Sequence, residues 1–239
     1  MAHVKAVIFG AIGVIAETSD LQRQAFNRAF AEQGLDWQWD SATYRRLLVI
    51  NGGQARLRAY RKEMSQESAV SDAMIATLHA RKTDHYADLT VAGALRPRRG
   101  VAELIQTCRK AGIRIALCTS TSLDNVEAIA SALGETLDFG AFESITTIDK
   151  IGAVKPAPDA YRHCLSQLNL SARDVVAIED TPVSMASAIA AGIAVIATPG
   201  AMTSDQDFSA AALVIDNLET LSIAQIDAVL VKAKPEVHA

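Results

Sequence analysis

The sequence lacks the features that mark several broad classes of protein. Its three cysteines, Cys108, Cys118 and Cys164, lie far apart and form no C-x-x-C pair, so neither a disulfide framework nor a zinc site is expected. No apolar run approaches the roughly 18 residues that a membrane-spanning helix needs, and no signal peptide precedes the first predicted strand. We therefore expect a cytoplasmic protein with no membrane partner.

Charge of neither sign dominates the chain. Lys and Arg number 23 against 27 Asp and Glu, which gives a formal net charge of −4. This balance argues against a nucleic-acid partner, which would need a strongly basic surface. The densest basic cluster, residues 96–99, is expected to form a solvated joint between domains. The five histidines are scattered without ligand spacing, so none is predicted to bind a metal.

Two patterns divide the 239 residues. Residues 4–9 have the short, apolar, β-branched character of a buried parallel strand, and from Gly100 onward predicted helices and strands alternate. Such alternation is typical of an α/β fold with a parallel sheet and right-handed crossovers. Residues 18–90 show only helical spacing, with a first helix ending at Gly34 and further helices predicted at about 41–49, 53–64, 71–78 and 79–88.

Polar residues follow two of the later predicted elements. Residues 115–118 run into Thr119 and Ser120, and a hydroxyl with backbone amides at such a turn can hold a phosphate. The hydroxyl residues of the segment 119–122 could instead cap the following helix, and the segment taken alone favours that interpretation. Lys155 lies in a K-P-A-P-D segment, where it could bind a phosphoryl oxygen or be a solvated loop lysine.

Two adjacent carboxylates, Glu179 and Asp180, end the apolar strand predicted at 175–178. Oxygen ligands of this kind suit Mg²⁺. An acidic pair before a helix could instead serve as its N-terminal cap, because the helix dipole favours negative charge there.

The first predicted strand ends without an acidic side chain. It leads into a tight turn with the sequence Gly10, Ala11, Ile12 and Gly13. The carboxyl end of a strand is where α/β proteins place catalytic groups. However, Gly10 has no side chain and Ile12 has no proton to exchange.

In this order, the segments resemble the motifs of the haloacid dehalogenase superfamily over essentially the whole chain. Gly10 and Ile12 stand at the two aspartate positions of the first motif. The later motifs match, in order, the strand that runs into Thr119, the segment around Lys155 and the strand that ends in the acidic pair. The resemblance implies a Rossmann-like core at 1–15 and 96–239. It also implies a small all-helical cap, at 16–95, inserted after strand 1.

The resemblance narrows to the β-phosphoglucomutase-like subfamily, and within it to phosphatases that act on xylulose bisphosphate. The segments that carry it are 16–18, 23–27, 34–37, 52–53, 119–126 and 206–208. The family implies in-line phosphoryl transfer to a phosphosugar ligand through an aspartyl phosphate, with Mg²⁺ neutralising the phosphoryl charge.

The family's core roles carry over by position. Gly10 takes the nucleophile's place and Ile12 that of the general acid/base. Thr119, with Ser120, and Lys155 take the phosphate-binding places.

The metal-binding places fall on Glu179 and Asp180, with Asp180 favoured as the direct ligand. With one carboxylate of the set missing, Mg²⁺ binding is expected to be weak or absent. The residues expected to face the substrate from the cap side are Glu17, Gly52, Gly53, Gln54 and Arg56.

Other positions depart from the branch as well. Gln22 replaces a His, Gln54 replaces a Lys where a second phosphate would bind, and Ser184 replaces a Gly. We favour a catalytically inactive scaffold that binds inorganic phosphate or a small phosphorylated metabolite, or regulates another protein. One alternative is an active hydrolase with a different nucleophile or a metal-bound water. A sequence altered at two positions is another, although the further departures count against it.

Overall fold

The computed structural model of the chain describes residues 3–50, 52–65, 69–90 and 95–232. Within them, two compact units can be distinguished. The core unit holds the described residues up to Glu17 and from Leu95 onward, and the cap unit holds those from Thr18 to Thr90. Parts of the two predicted domains lie outside the described residues, namely 1–2 and 233–239 of the core and 51, 66–68 and 91–94 of the cap.

The core unit is built on a parallel sheet, so the predicted α/β class is confirmed. In the described residues six strands follow the order β3-β2-β1-β4-β5-β6, with every neighbouring pair parallel. The strands are β1 (Ala6–Phe9), β2 (Arg114–Cys118), β3 (Ser144–Thr146), β4 (Val175–Glu179), β5 (Ala194–Ala197) and β6 (Leu213–Val214). Strands β1 and β4 are buried along their whole length, which explains their continuous apolar sequence.

Helices lie in the connections between most of the strands of the core unit, as is usual for parallel pairing. These are α5 (Val101–Lys110), α6 (Leu123–Leu133), α7 (Asp159–Leu168) and α8 (Pro182–Ala190), while α9 (Ile223–Lys232) follows β6. Helix α7 illustrates the packing. Its Ala160, Tyr161, Cys164 and Leu168 recur at helical spacing and join the buried cluster against β4.

The described part of the cap unit is helical and contains no strand, in agreement with the helical spacing of its sequence. Its helices are α1 (Ser19–Glu32), α2 (Ser41–Leu47), α3 (Gly53–Glu63) and α4 (Asp72–Leu89). An aromatic cluster fills its interior, in which Phe26, Phe30 and Trp39 lie with ring centroids 4.6–6.1 Å apart. Rings at such distances add stability beyond the area that they bury.

The structure corrects three predictions. The helices predicted at 71–78 and 79–88 are one helix, α4, because no Gly or Pro interrupts the chain between them. Helix α9 was not predicted, although Ile226 and Leu230 give it a buried face. The basic cluster at 96–99 is not wholly solvated, because the Arg98 guanidinium is bonded to five oxygens of the core unit.

Two glycines at the ends of helix α5 allow a matched test of close backbone packing. Gly100 and Gly112 both have positive φ, but a Cβ on Gly100 would lie 2.1 Å from the Glu219 nitrogen, whereas a Cβ on Gly112 would meet nothing within 4 Å. We expect Gly112→Ala to cost about 1–2 kcal/mol and Gly100→Ala to cost roughly 3 kcal/mol more. Urea unfolding measures both free energies. Equal losses would contradict the packing of α5 against Leu218–Glu219.

Candidate functional site

The predicted core residues meet at the carboxyl edge of the sheet. The register pairs Phe9 of β1 with Leu117 of β2 and with Ile178 of β4, so Gly10 follows directly between the two neighbouring strand ends. Its amide donates to the Ile178 carbonyl at 3.0 Å. The order of strands therefore brings Gly10 beside Glu179 on one side, with Thr119 following β2 on the other.

The predicted phosphate-binding residues lie together. Lys155 Nζ donates to the Cys118 carbonyl at 3.2 Å, and the Lys155 amide donates to Ser120 Oγ at 3.4 Å. Thr119 Oγ1 accepts from the Thr121 amide at 3.2 Å. Helix α6 is capped by Ser122, whose side chain accepts from the Asn125 amide. The helix-cap alternative is therefore confirmed for the last residue of the 119–122 segment, while Ser120 contacts Lys155 instead.

Lys155 is buried rather than solvated, with 4 % of its surface exposed. Its Nζ donates to Glu179 Oε1 at 2.5 Å, and Glu179 is 1 % exposed. The Tyr161 hydroxyl donates to the same oxygen, and Lys155 Nζ lies 4.9 Å from the centre of the Tyr161 ring. The charge that was predicted to bind phosphate is thus engaged by a carboxylate of the protein itself.

The other oxygen of Glu179 lies in the space that a side chain at residue 10 would use. A Cβ placed on Gly10 would be 2.6 Å from Glu179 Oε2 and 3.1 Å from Glu179 Cδ. The first distance is too short for any Cβ contact, and the second is unusually tight. The Glu179 carboxylate and a longer residue at position 10 therefore cannot both keep these positions.

The electrostatics of this cluster follow from its burial. Burial alone would lower the pKa of Lys155, but the charge of Glu179 and the hydrogen bond to it, together with Cys118 and Asp180, outweigh burial and the pKa is raised. Burial, followed by the charge of Glu179, raises the pKa of Tyr161 well above its usual value. Lys155 is therefore a cation and Tyr161 a neutral hydrogen-bond donor at physiological pH.

The Asp180 side chain lies against the turn that follows β1. A Cβ on Gly13 would lie 1.7 Å from Asp180 Oδ2, and Gly13 has a φ of +82°, so both its conformation and its closeness to the carboxylate require glycine. Burial, then the charges of Glu179 and Glu17, raise the pKa of Asp180 well above its usual value. Helix α8 is capped by Thr181, so neither carboxylate serves as that cap.

Arg98 ties the loops on either side of Asp180 together. Its guanidinium donates to the Gly13 carbonyl at 2.5 Å, to the Thr198 carbonyl at 2.6 Å and to the Pro199 carbonyl at 3.0 Å. The first of these follows β1 and the other two follow β5. A planar fork with five donors suits this role better than a lysine would.

The residues present do not suit Mg²⁺. Gly10 supplies no carboxylate, and Glu179 Oε1 is already engaged by Lys155 and Tyr161. Among the described residues, no three His, Cys, Asp or Glu side chains are grouped so that they could hold a metal ion. Mg²⁺ prefers several well-placed oxygen ligands, and Asp180 is the one acidic side chain of the predicted set that remains for it.

The predicted cap-side residues fall in both units. Glu17 groups with the core unit, where a Cβ on Gly200 would lie 2.2 Å from its Oε2. Gly52 precedes helix α3, which begins at Gly53. Gln54 accepts a hydrogen bond from Arg58 near the surface, and Arg56 donates through Nε to the Ile50 carbonyl. Whether these residues face a substrate stays a prediction.

The cap unit holds a buried cation that the sequence reasoning missed. Lys82 on α4 is 6 % exposed, and its Nζ lies 5.4 Å from the centre of the Phe26 ring and 5.1 Å from that of Tyr86. Burial, with the neighbouring charge of Arg56, lowers the pKa of Lys82 to about 7. Burial, then Lys82 and Arg56, also lowers the pKa of His79. These basic side chains lie close to each other in the cap unit.

A buried polar group adjoins Lys82. The side chains of Thr18, Gln22 and Thr90 lie beside the Tyr86 hydroxyl, and burial still raises the pKa of Tyr86. All four residues are less than 9 % exposed. Helical spacing could have revealed Lys82 and Tyr86, because both recur on the face of α4 that carries Leu78 and Leu89.

Comparison with known proteins identifies the chain's relatives. A family model described as haloacid dehalogenase-like hydrolase matches residues 4–192. Protein CbbY of Rhodobacter capsulatus is 42% identical over 209 residues, which cover 87% of this chain and 91% of that protein. Protein CbbY of Cereibacter sphaeroides is 36% identical over 218 residues, which cover 91% and 94%.

Solved structures agree with the sequence relatives. The crystal structure of CbbY from Rhodobacter sphaeroides in complex with phosphate matches with a TM-score of 0.85 at 36% identity, covering 94% of this chain and 99% of that chain. A mutant of the same protein in complex with xylulose-(1,5)bisphosphate matches with a TM-score of 0.83 at 36% identity, covering 92% and 96%. β-Phosphoglucomutase from Clostridium difficile, at 19% identity, shares the fold, with a TM-score of 0.78 and coverage of 96% and 98%.

Lys82 should make stability depend on pH. Its pKa in the folded protein, about 7, lies below the usual value of 10.5, so between these values the unfolded chain binds a proton that the folded protein excludes. The free energy of unfolding should therefore rise with pH from about 7 to about 10.5. Replacement by the uncharged Met should stabilise the protein at pH 7 by roughly 4 kcal/mol, with the gain vanishing above pH 10.5. Urea unfolding of Lys82→Met checks this, with the exposed Lys62→Met as control. A Met variant less stable than wild type at pH 7 would contradict it.

Proposed function

Since the chain belongs to the haloacid dehalogenase-like hydrolase family, we propose that it is a catalytically inactive member that binds a phosphorylated small molecule. One observation carries the proposal. The place of the nucleophile has no side chain of its own, and the carboxylate that lies there, Glu179, is held by Lys155 and Tyr161. Loss of a covalent nucleophile that acts with its partners costs on the order of a millionfold in kcat.

The position of Ile12 supports the same conclusion. General acid–base catalysis needs a group that can exchange a proton within hydrogen-bonding distance of the reacting oxygen, and an isoleucine side chain has none. Thr119, Ser120 and Lys155 can orient a phosphate, but orientation without a nucleophile leaves most of the barrier to phosphoryl transfer standing.

The proposed ligand class is a phosphorylated sugar or inorganic phosphate. Hydroxyl, amide and ammonium donors at the carboxyl edge of the sheet are the groups that bind phosphoryl oxygens. The related CbbY structures contain phosphate and xylulose-(1,5)bisphosphate, which supports this class for the present chain.

A second candidate function is an active hydrolase with a non-standard nucleophile. The position of the Glu179 carboxylate beside residue 10 is the observation in its favour. A glutamate at that place could attack phosphorus, but its two hydrogen bonds to Oε1 reduce its nucleophilicity, and no acid stands at Ile12 to protonate the leaving oxygen. We therefore rank this function second.

Activity measurements separate the two candidates. The wild-type protein should not hydrolyse p-nitrophenyl phosphate or phosphosugars above background with Mg²⁺ present. Gly10→Asp alone should add little, because Ile12 remains and the new side chain must displace Glu179. The Gly10→Asp/Ile12→Asp variant supplies both groups and should give measurable turnover, limited by Gln22, Gln54 and Ser184.

The result that would overturn the proposal is specific. Turnover by purified wild-type protein that disappears in Glu179→Gln, but persists in the surface variant Glu143→Gln, would assign the nucleophile to Glu179. Glu143 forms an exposed ion pair with Arg114, so this control removes a glutamate charge far from the candidate site.

Mg²⁺ binding is expected to be weak or absent in the wild type, because the donor set is incomplete and Lys155 competes for Glu179. Titration calorimetry at millimolar Mg²⁺ should give no saturable heat. Gly10→Asp adds a carboxylate between the strand ends and should strengthen the binding. A tight one-to-one isotherm with the wild-type protein would refute this expectation.

A further inference from the structure

We infer that Glu179 is an internal occupant of the phosphate site, which an anionic ligand must displace before it can pair with Lys155. The inference rests on the proposed function, since it concerns the affinity of that same site for phosphate. It goes beyond the proposed function because it says which group of the protein an incoming phosphate has to replace.

The first step of the argument is geometric. Glu179 Oε2 would be 2.6 Å from a Cβ on Gly10, which is about the distance that separates an aspartate's own Cβ from its carboxylate oxygens, given standard covalent bond lengths near 1.5 Å and 1.2 Å. Glycine at residue 10 is what makes this space available. In a chain with a side chain there, Glu179 could not adopt this position.

The second step concerns charge. Lys155 is the basic side chain predicted to bind the phosphate, and its Nζ donates to Glu179 at 2.5 Å. Burial makes this pair strong and costly to break from one side only. A phosphate that approaches Lys155 while Glu179 stays in place would meet a carboxylate at close range in a region of low effective dielectric.

The third step concerns what keeps Glu179 in place. Tyr161 belongs to the buried face of helix α7, and its hydroxyl donates to the same carboxylate oxygen as Lys155. The aromatic ring also lies against Lys155. Two donors on one oxygen orient the other oxygen of Glu179 toward Gly10. The packing of the core unit therefore keeps the Glu179 carboxylate in this position.

Titration calorimetry with inorganic phosphate, without divalent cations, tests the inference. Glu179→Gln keeps the shape of the side chain but removes its charge, and phosphate should bind this variant at least tenfold more tightly than the wild type. Phosphate should also raise the melting temperature of the variant more than that of the wild type, because it would pair with the buried Lys155. The control Glu143→Gln should match the wild type in both measurements.

A second variant keeps the test decisive if Glu179→Gln does not fold. Gly10→Ala leaves both charges in place but puts a methyl group where Glu179 Oε2 now lies. The backbone at Gly10 does not have a positive φ, so alanine introduces no backbone strain. The added Cβ would also lie 2.9 Å from Val14 Cγ2, so the double variant Gly10→Ala/Val14→Ala removes that second close contact and is compared with Val14→Ala alone. We expect phosphate to bind the Gly10→Ala variant roughly threefold or more tightly than the wild type, because the methyl group forces the carboxylate out of this space.

The outcomes are distinguishable. Glu179→Gln or Gly10→Ala binding phosphate no better than the wild type would overturn the inference, and would leave the proposed function standing if the wild type binds. Tight binding by the variants with none by the wild type would support the inference while contradicting the proposed function of the natural chain. No binding by any of the proteins would overturn both.

Discussion

The buried ion pair between Lys155 and Glu179 is the interaction on which the rest of the candidate site depends. A fully buried lysine and glutamate are tolerated only as a pair, because either charge alone would be costly in the interior. Their pairing, together with the Tyr161 hydroxyl, fixes where the Glu179 carboxylate lies. It lies in the space beside Gly10, and the proposed function and the proposed displacement of Glu179 by an anion both rest on this location.

The surrounding scaffold keeps the geometry of the family although the reactive groups differ. Parallel strands β2, β1 and β4 bring three strand ends together, Gly13 makes room for Asp180, and Arg98 joins the loops that follow β1 and β5. None of these features needs an aspartate at residue 10 or 12. The fold by itself therefore does not determine which chemistry the site performs.

Much of the fold could be predicted from the sequence because the relevant signals are local. Apolar runs such as 175–178 and the alternation of helix and strand after Gly100 follow directly from burial on both faces of a parallel sheet. The helical character of 18–90 was equally readable. The continuity of α4 could also have been predicted, because its sequence contains no Gly or Pro that would divide it. Helix α9 was missed because its short apolar pattern follows a region of loops and turns.

The site was only partly predictable. Residue types placed Thr119, Lys155 and the acidic pair at strand ends, and the structure brings them together. The direction of the Glu179 side chain depends on contacts with Lys155 and Tyr161 that are distant in sequence, and no local pattern contains them. Likewise, nothing near Lys82 in the sequence signals a pKa of about 7, which arises from burial among Phe26 and Tyr86 and from the charge of Arg56.

Crystal structures of the wild-type protein, without ligand and after soaking in phosphate, would test the central claim most directly. The account predicts that Glu179 lies beside Gly10 and pairs with Lys155 in the ligand-free crystal. After soaking, it predicts that phosphate lies on Lys155 and Thr119, with the Glu179 carboxylate moved away from Gly10. A phosphate bound to Lys155 with Glu179 unmoved, or a ligand-free crystal in which Glu179 points away from both Gly10 and Lys155, would contradict it.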